Sequence, residues 1–221
     1  MPLQNRVDPF GELFAAPARG LFMGNRGGRF HTDAQKLTTT RRWVSRQWIC
    51  CLTKFKERQR DVWGRFYTEL FFLDEPTALA AGHRPCFECR REDAQVFAEY
   101  WRKARKLRRR PRAAEMDEVL HRERLNGRAK RLHRRKIESL PDGAFFTLDG
   151  AAFAVRGNAL LCWTADGYDA RLPRPRQGAV DVLTPPAVLG VLAAGYRPRW
   201  HPSADSSCAG LTRASMLKPR D

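Results

Sequence analysis

The motif Cys86-Phe-Glu-Cys89 has the spacing with which two thiolates bind one metal ion. The turn between the cysteines aims both sulfurs at one point, and its backbone amides donate to them. A tetrahedral zinc ion needs two further ligands, for which Cys50, Cys51 and His31 are the nearest candidates. Two other interpretations stay open: a redox dithiol, which usually follows a strand and begins a helix, and a pair of reduced cysteines that serves packing alone.

The neighbours Cys50 and Cys51 cannot both reach the same ion. They lie in residues 43–55, a segment rich in aromatic and β-branched residues that we predict to contain a strand. Successive side chains of a strand point to opposite faces, so one sulfur faces the ion and the other faces away. We predict a composite zinc site of His31, Cys51, Cys86 and Cys89, with Cys50 as the alternative to Cys51.

A second candidate site is a strongly basic segment. The chain carries a formal net charge of +17, and residues 102–136 contain 16 Lys and Arg against four acidic residues. Such a charge attracts polyanions, of which nucleic acid is the commonest, although a basic surface without a specific partner remains the alternative. We expect nucleic acid, with DNA favoured, as the partner. The cations predicted to contact phosphates are Arg102, Lys103, Arg105, Lys106, Arg108, Arg109, Arg110, Arg131, Arg134 and Arg135.

Three helices are predicted to carry these groups. The first covers residues 76–81, where Asp74 can cap its start and Gly82 its end. The second covers residues 92–109 and stops before Pro111. The third, over residues 113–137, has few apolar positions and would therefore be exposed on most sides.

The rest of the sequence predicts short strands. Residues 145–148, 153–155, 160–163 and 180–183 read as strands separated by Gly-containing turns, and a short helix follows Pro185 and Pro186. Residues 1–30 read as irregular structure. The predicted fold class is α+β: a zinc-stabilised module over residues 20–100, a basic helical connector over 101–138, a small antiparallel sheet with a short helix over 139–202, and a flexible tail over 203–221.

Composition excludes several classes of protein. With 221 residues and 43% hydrophobic residues, the chain can bury a core and is not disordered throughout. It lacks the run of about 18 apolar residues that a membrane helix needs, and it does not begin with a secretory signal. Six cysteines are too few for a secreted disulfide scaffold. These features predict a cytoplasmic protein without membrane contact.

Residues 71–90, FFLDEPTALAAGHRPCFECR, resemble the second half of the Ada-type zinc-binding domain. This domain occurs in bacterial alkylated-DNA repair and regulatory proteins, and a variant is attached to some nucleases. Residues 23–31, MGNRGGRFH, are similar to the opening of that variant, in which a histidine is a ligand. The resemblance extends loosely over residues 20–100. It implies a zinc-stabilised, DNA-associated module with Cys86 and Cys89 as ligands.

The favoured function is a non-enzymatic, zinc-containing nucleic-acid-binding protein linked to the DNA damage response. One alternative, drawn from the resemblance, is an enzyme-like acceptor of methyl groups from DNA phosphotriesters. Another is a metal-dependent nuclease, for which the carboxylates near the cysteines are Asp61, Glu69, Asp74 and Glu75. A third is a zinc-stabilised protein–protein adaptor.

Overall fold

Two six-stranded sheets, a two-stranded hairpin and four α-helices form the part of the chain, residues 2–58 and 61–206, that the computed structural model describes. The predicted α+β class is confirmed.

The first sheet is assembled from the N-terminal third of the chain. Its strands are β1 (Arg6–Val7), β2 (Leu13–Phe14), β3 (Phe22–Asn25), β4 (Ile49–Leu52), β5 (Leu70–Phe72) and β6 (Arg84–Pro85). They are ordered β2-β1-β5-β3-β4-β6, and the pairs β1–β5 and β4–β6 are parallel. Residues 1–30 were expected to be irregular, but three strands lie there because the buried β3 pairs with both β4 and β5.

Helix α1 (Glu75–Ala80) lies between the main layers of the fold. The Asp74 carboxylate accepts from the Thr77 amide at 3.0 Å, which confirms the predicted cap, and Gly82 has the positive φ of +88° at the other end. Every residue of α1 is buried. Because consecutive helical residues point about 100° apart, Ala78 packs on the first sheet, Leu79 on the other helices, and Ala80 on the second sheet.

The other helices form a common core. They are α2 (Arg91–Ala104), α3 (Ala113–Arg124) and α4 (Pro186–Ala193). Phe97 and Trp101 of α2 pack against Met116 of α3 and Val188 of α4. The α2 helix ends five residues before the predicted 109, and Lys106 beyond it has a φ of +51°, which a helix cannot accommodate.

The predicted third helix over residues 113–137 is wrong beyond Arg124. The chain continues as the hairpin β7 (Leu125–Asn126) and β8 (Ala129–Lys130), and then as β9 (His133–Lys136). Gly127, with a φ of +61°, supplies the tight turn, and Asn-Gly is a hairpin signal that the helical interpretation overlooked. The predicted basic helical connector is thus α-helical only over residues 101–104 and 113–124, and its last part forms strands.

The second sheet is antiparallel, as predicted. Its further strands are β10 (Phe145–Leu148), β11 (Ala151–Arg156), β12 (Ala159–Trp163), β13 (Tyr168–Pro173) and β14 (Ala179–Val182), in the order β13-β12-β11-β10-β14-β9. The prediction missed β13, although its buried and exposed residues alternate at the start. The basic strand β9 is an edge of this sheet.

The C-terminal end of the described chain is packed rather than loose. Residues 203 and 204, expected in a flexible tail, belong to a short 3₁₀ helix (Pro202–Ala204), and Ala204 is fully buried against the second sheet. The rest of the predicted tail, residues 207–221, lies outside the described residues. Among the helices of residues 2–58 and 61–206, none combines the length and the apolar character needed to cross a bilayer.

The expected modules over residues 20–100 and 139–202 share buried contacts. Leu73 and Ala80 pack with Phe145 and Tyr168 of the second sheet, and Phe97 of α2 packs against Tyr196. The first sheet also includes β1 and β2, which precede residue 20.

Candidate metal centre and basic surface

The sulfurs of Cys51, Cys86 and Cys89 all lie within 4.8 Å of one another. Zinc–sulfur bonds of about 2.3 Å in a tetrahedral site place sulfurs roughly 3.8 Å apart, so a small contraction would bring all three onto one ion. Cys51 and Cys86 are buried and Cys89 is half-buried. The donor set is soft and suits zinc or another thiophilic metal. These three cysteines therefore form a cluster that could hold a metal ion.

Strand pairing selects Cys51 over Cys50. In the parallel pair of β4 and β6, Cys50 is in register with Pro85, and the Cys86 amide donates to the Cys50 carbonyl at 3.0 Å. This register places the Cys51 side chain beside the turn of Cys86 and Cys89. Cys50 faces the opposite side, where the Arg90 guanidinium donates to its sulfur at 3.3 Å. The predicted division of the two cysteines between opposite faces is confirmed.

Hydrogen bonds to the cluster favour the thiolate form at one sulfur, that of Cys86. The amides of Glu88 and Leu52 donate to the sulfurs of Cys86 and Cys89, each at 3.4 Å. The thiol of Cys51, and then that of Cys89, hold the pKa of Cys86 well below its usual range, and donation to Cys86 raises the pKa of Cys51. Without a cation, the cluster favours a thiolate at Cys86. A bound metal would displace the remaining protons.

The motif lies between a strand and a helix, since β6 precedes it and α2 begins at Arg91. This is the context of redox dithiols. The feature that favours a metal is the third sulfur, from Cys51, because a dithiol needs only two cysteines.

His31, predicted as the fourth ligand, lies elsewhere. Its ring stacks on Trp63 with centroids 5.0 Å apart, and its Nδ1 is 2.8 Å from the Thr68 hydroxyl. Within residues 2–58 and 61–206, the cysteine cluster is the one group of potential metal ligands, and it includes no His, Asp or Glu atom. The composite four-ligand set is not formed, because the His31 ring stacks on Trp63 and its nitrogens are not among the clustered ligand atoms.

The variant His31→Ala should keep the metal and lose stability. We expect an unchanged metal content per chain and a loss of about 1–3 kcal/mol, because Trp63 loses its stacked partner and Thr68 its hydrogen bond. Elemental analysis of the purified variant and urea unfolding would measure the two quantities. Loss of the metal at full folding would show that His31 is a ligand after all.

Asp74 and Glu75, two of the four carboxylates considered for a nuclease site, have structural partners. Asp74 accepts from the Tyr168 hydroxyl at 2.8 Å and from the His201 amide at 3.2 Å. Glu75 accepts from Arg90 at 2.7 Å and from Tyr196 at 2.6 Å. Both side chains join α1 to its surroundings.

A cavity of about 350 Å³ opens beside the cysteine cluster. Cys89 lines it, as do Met23 and Phe71, which pack against the cluster. Three cations also line the cavity: Arg19, Lys54 and Arg58. Sequence reasoning missed these cations because they are far from the motif along the chain and have no distinctive spacing.

The predicted nucleic-acid contacts are divided among three places. Arg102 and Lys103 end α2, Arg105, Lys106, Arg108, Arg109 and Arg110 lie in the linker to α3, and Arg131, Arg134 and Arg135 lie in or just before β9. Four of the ten are ion-paired: Arg102 with Glu99, Arg105 with Glu123, Arg109 with Glu115, and Arg134 with Asp181. For the other six, no ion pair is found in the described part of the chain.

Two further cations of the basic segment, Arg124 and Lys130, face inward. Arg124 is 1% exposed and stacks on Trp48, with its guanidinium carbon 3.8 Å from the ring centroid, while Arg26 stacks on the same ring at 3.9 Å. The Lys130 ammonium contacts the Ala80 carbonyl. These residues stabilise the fold, so the charge available to a polyanion is smaller than the sequence suggests.

Comparisons with protein-family models, with curated proteins and with solved structures find no match. The resemblance of residues 71–90 to the Ada-type domain therefore stays a prediction.

Proposed function

We propose that this protein binds one zinc ion through Cys51, Cys86 and Cys89 and binds nucleic acid, preferably DNA, through exposed cations near α2 and β9. The observation that carries the proposal is the convergence of three sulfurs from two separate segments of the chain. Reduced cysteines in this arrangement suit a reducing compartment such as the cytoplasm.

Zinc would have a structural effect at this position. The cluster lies where β4, β6 and the start of α2 meet, so a bound ion would connect the first sheet to the helical core. Zinc bound by thiolates contributes its binding free energy to folding, because the unfolded chain has no preformed site. The Ada-like module proposed for this region would be stabilised in the same way.

The nucleic-acid part of the proposal is supported by six exposed cations. These are Lys103, Lys106, Arg108, Arg110, Arg131 and Arg135. Phosphate contacts of this kind position a protein on the backbone without reading bases. The proposal is therefore a binding activity of low sequence specificity, consistent with a protein of DNA maintenance.

The salt dependence of DNA binding tests this proposal. With about six phosphate contacts, the slope of log K against log salt should be about −5, and binding should weaken on the order of 10³-fold between 50 and 200 mM salt. Replacing Arg108 and Arg110 by alanine should flatten the slope by about 2. Fluorescence anisotropy with a labelled duplex would measure both.

A double variant of equal charge change provides the control. Arg65 and Arg91 are exposed, and Arg91 begins α2, about 20 Å along the helix axis from its basic end. Alanine at both positions should leave the slope unchanged. If the two double variants behave alike, the binding is unspecific, and the adaptor function becomes the better proposal.

A further inference from the structure

The three sulfurs leave one position of a tetrahedral ion without a ligand from the described residues. Neither a fourth sulfur nor a nitrogen or carboxylate oxygen joins Cys51, Cys86 and Cys89 in residues 2–58 and 61–206. A zinc ion with three protein ligands keeps its fourth position for water or for an external molecule. Structural zinc sites, in contrast, are closed by four protein ligands.

The cluster and the neighbouring cavity share a wall. Cys89, the least buried of the three cysteines, lines the cavity of about 350 Å³. Met23 packs against Cys51 and Cys86 on one side and lines the cavity on the other. An external ligand thus has a route to the side of the cluster on which Cys89 lies.

The charges around the cavity favour an anionic ligand. A zinc dication with three thiolates carries one negative charge, so neighbouring cations favour the binding of a further anion. Arg19, Lys54 and Arg58 line this cavity. Arg58 pairs with Glu88 at 2.6 Å, whereas Arg19 and Lys54 form no ion pair with any described residue.

We propose that a small oxyanion, a carboxylate or phosphate group, enters this cavity and completes the coordination of the metal held by Cys51, Cys86 and Cys89. Guanidinium groups match the planar oxygen pairs of both anions, and the cavity volume is at the lower end of the range of small-molecule sites. The proposal rests on the metal binding proposed above. It adds an exchangeable ligand, and with it a binding site for a small acidic molecule.

Glu69 is the competing oxygen ligand. It also lines the cavity, and one of its carboxylate oxygens accepts from the Trp63 amide at 2.8 Å. A shift of this side chain onto the ion would close the site without an external anion. The experiment must therefore separate a protein carboxylate from an added one.

Cobalt(II) substitution provides a direct readout of the fourth ligand. Thiolate-to-cobalt charge-transfer bands report the three sulfurs, and the visible ligand-field bands report the complete coordination. We expect titration with acetate or inorganic phosphate, at constant ionic strength set by perchlorate, to shift the ligand-field bands saturably while the charge-transfer bands persist. The double variant Arg19→Ala, Lys54→Ala should weaken this response at least tenfold at unchanged cobalt content.

The control is the double variant Arg176→Ala, Arg197→Ala, which removes the same charge at two exposed residues that do not line the cavity and should respond as the unmodified protein does. Spectra that neither anion changes would overturn the inference while leaving metal binding intact. A response that appears only in Glu69→Gln would also overturn it, and would identify Glu69 as the ligand. A shift produced by a single-stranded oligonucleotide but by neither small ion would refute the small-oxyanion assignment. Failure to bind cobalt would refute both proposals.

Discussion

Replacement of Cys86 by serine should abolish metal binding and lower the melting temperature by about 10–20 °C. Cys86 is the central residue of the cluster, since its sulfur accepts from both Cys51 and Cys89. Structural zinc contributes on the order of 5 kcal/mol or more to the folding of a small site, and each kcal/mol shifts the melting temperature of a chain of this size by about 2–4 °C. Elemental analysis and calorimetry, with and without a chelator, would measure the effect.

The neighbouring residue Cys50 is a matched control. It precedes Cys51 directly but faces Arg90 on the other side of β4, so Cys50→Ala should retain one metal ion per chain. Chelator should destabilise the unmodified protein and Cys50→Ala, and should leave Cys86→Ser unaffected. Purified protein without metal, equally stable in chelator, would contradict the zinc site and leave packing or redox chemistry for the cysteines.

The sequence was sufficient for features that depend on local geometry. The C-x-x-C spacing predicted the convergence of Cys86 and Cys89, and strand alternation predicted that one of Cys50 and Cys51 would face away. The cap at Asp74 and the Asp149-Gly150 turn between β10 and β11 were also predictable. Side-chain capping and positive φ are properties of a few adjacent residues.

Features that depend on the pairing of residues far apart along the chain could not be predicted from the sequence. The choice of Cys51 depends on the register of β4 against β6, two strands separated by more than thirty residues. His31 has the right residue type for a ligand, but the Trp63 ring holds it, and no local pattern indicates that stacking. The cations of the cavity were missed because they lie far from the C-x-x-C motif along the chain.

Charge was the least reliable guide to structure. The run of cations over residues 102–136 suggested one exposed helix, yet Arg124 is drawn inward to Trp48 and the chain then turns at Gly127. Asp117, counted among the acids of an exposed face, is buried and accepts from Arg84 at 2.7 Å. Composition gives the net charge of a segment, whereas packing decides which charges solvent and partners can reach.

Glu75 is another charged residue that packing buries, and its replacement by alanine should lower the free energy of unfolding by about 3–5 kcal/mol. This carboxylate, 1% exposed, accepts from Arg90 at 2.7 Å, from the Tyr196 hydroxyl at 2.6 Å and from the Arg199 amide at 2.9 Å. Glu75→Ala would leave the fully buried Arg90 side chain with Asp93 as its remaining carboxylate. Removing one partner of a buried pair costs this much because the other charge stays buried and only partly compensated. Urea unfolding would measure the loss.

Two comparisons separate this effect from a general sensitivity to charge removal. Glu118 pairs at the surface with Arg46 and, at 3.7 Å, with Arg122, so Glu118→Ala should cost no more than about 1 kcal/mol. In the double variant Glu75→Leu, Arg90→Met, both charges leave together, and the loss should be smaller than that of Glu75→Ala because no buried ion is left unpaired. If the double variant is the less stable of the two, Arg90 stabilises the protein through Cys50 and Asp93 rather than through Glu75.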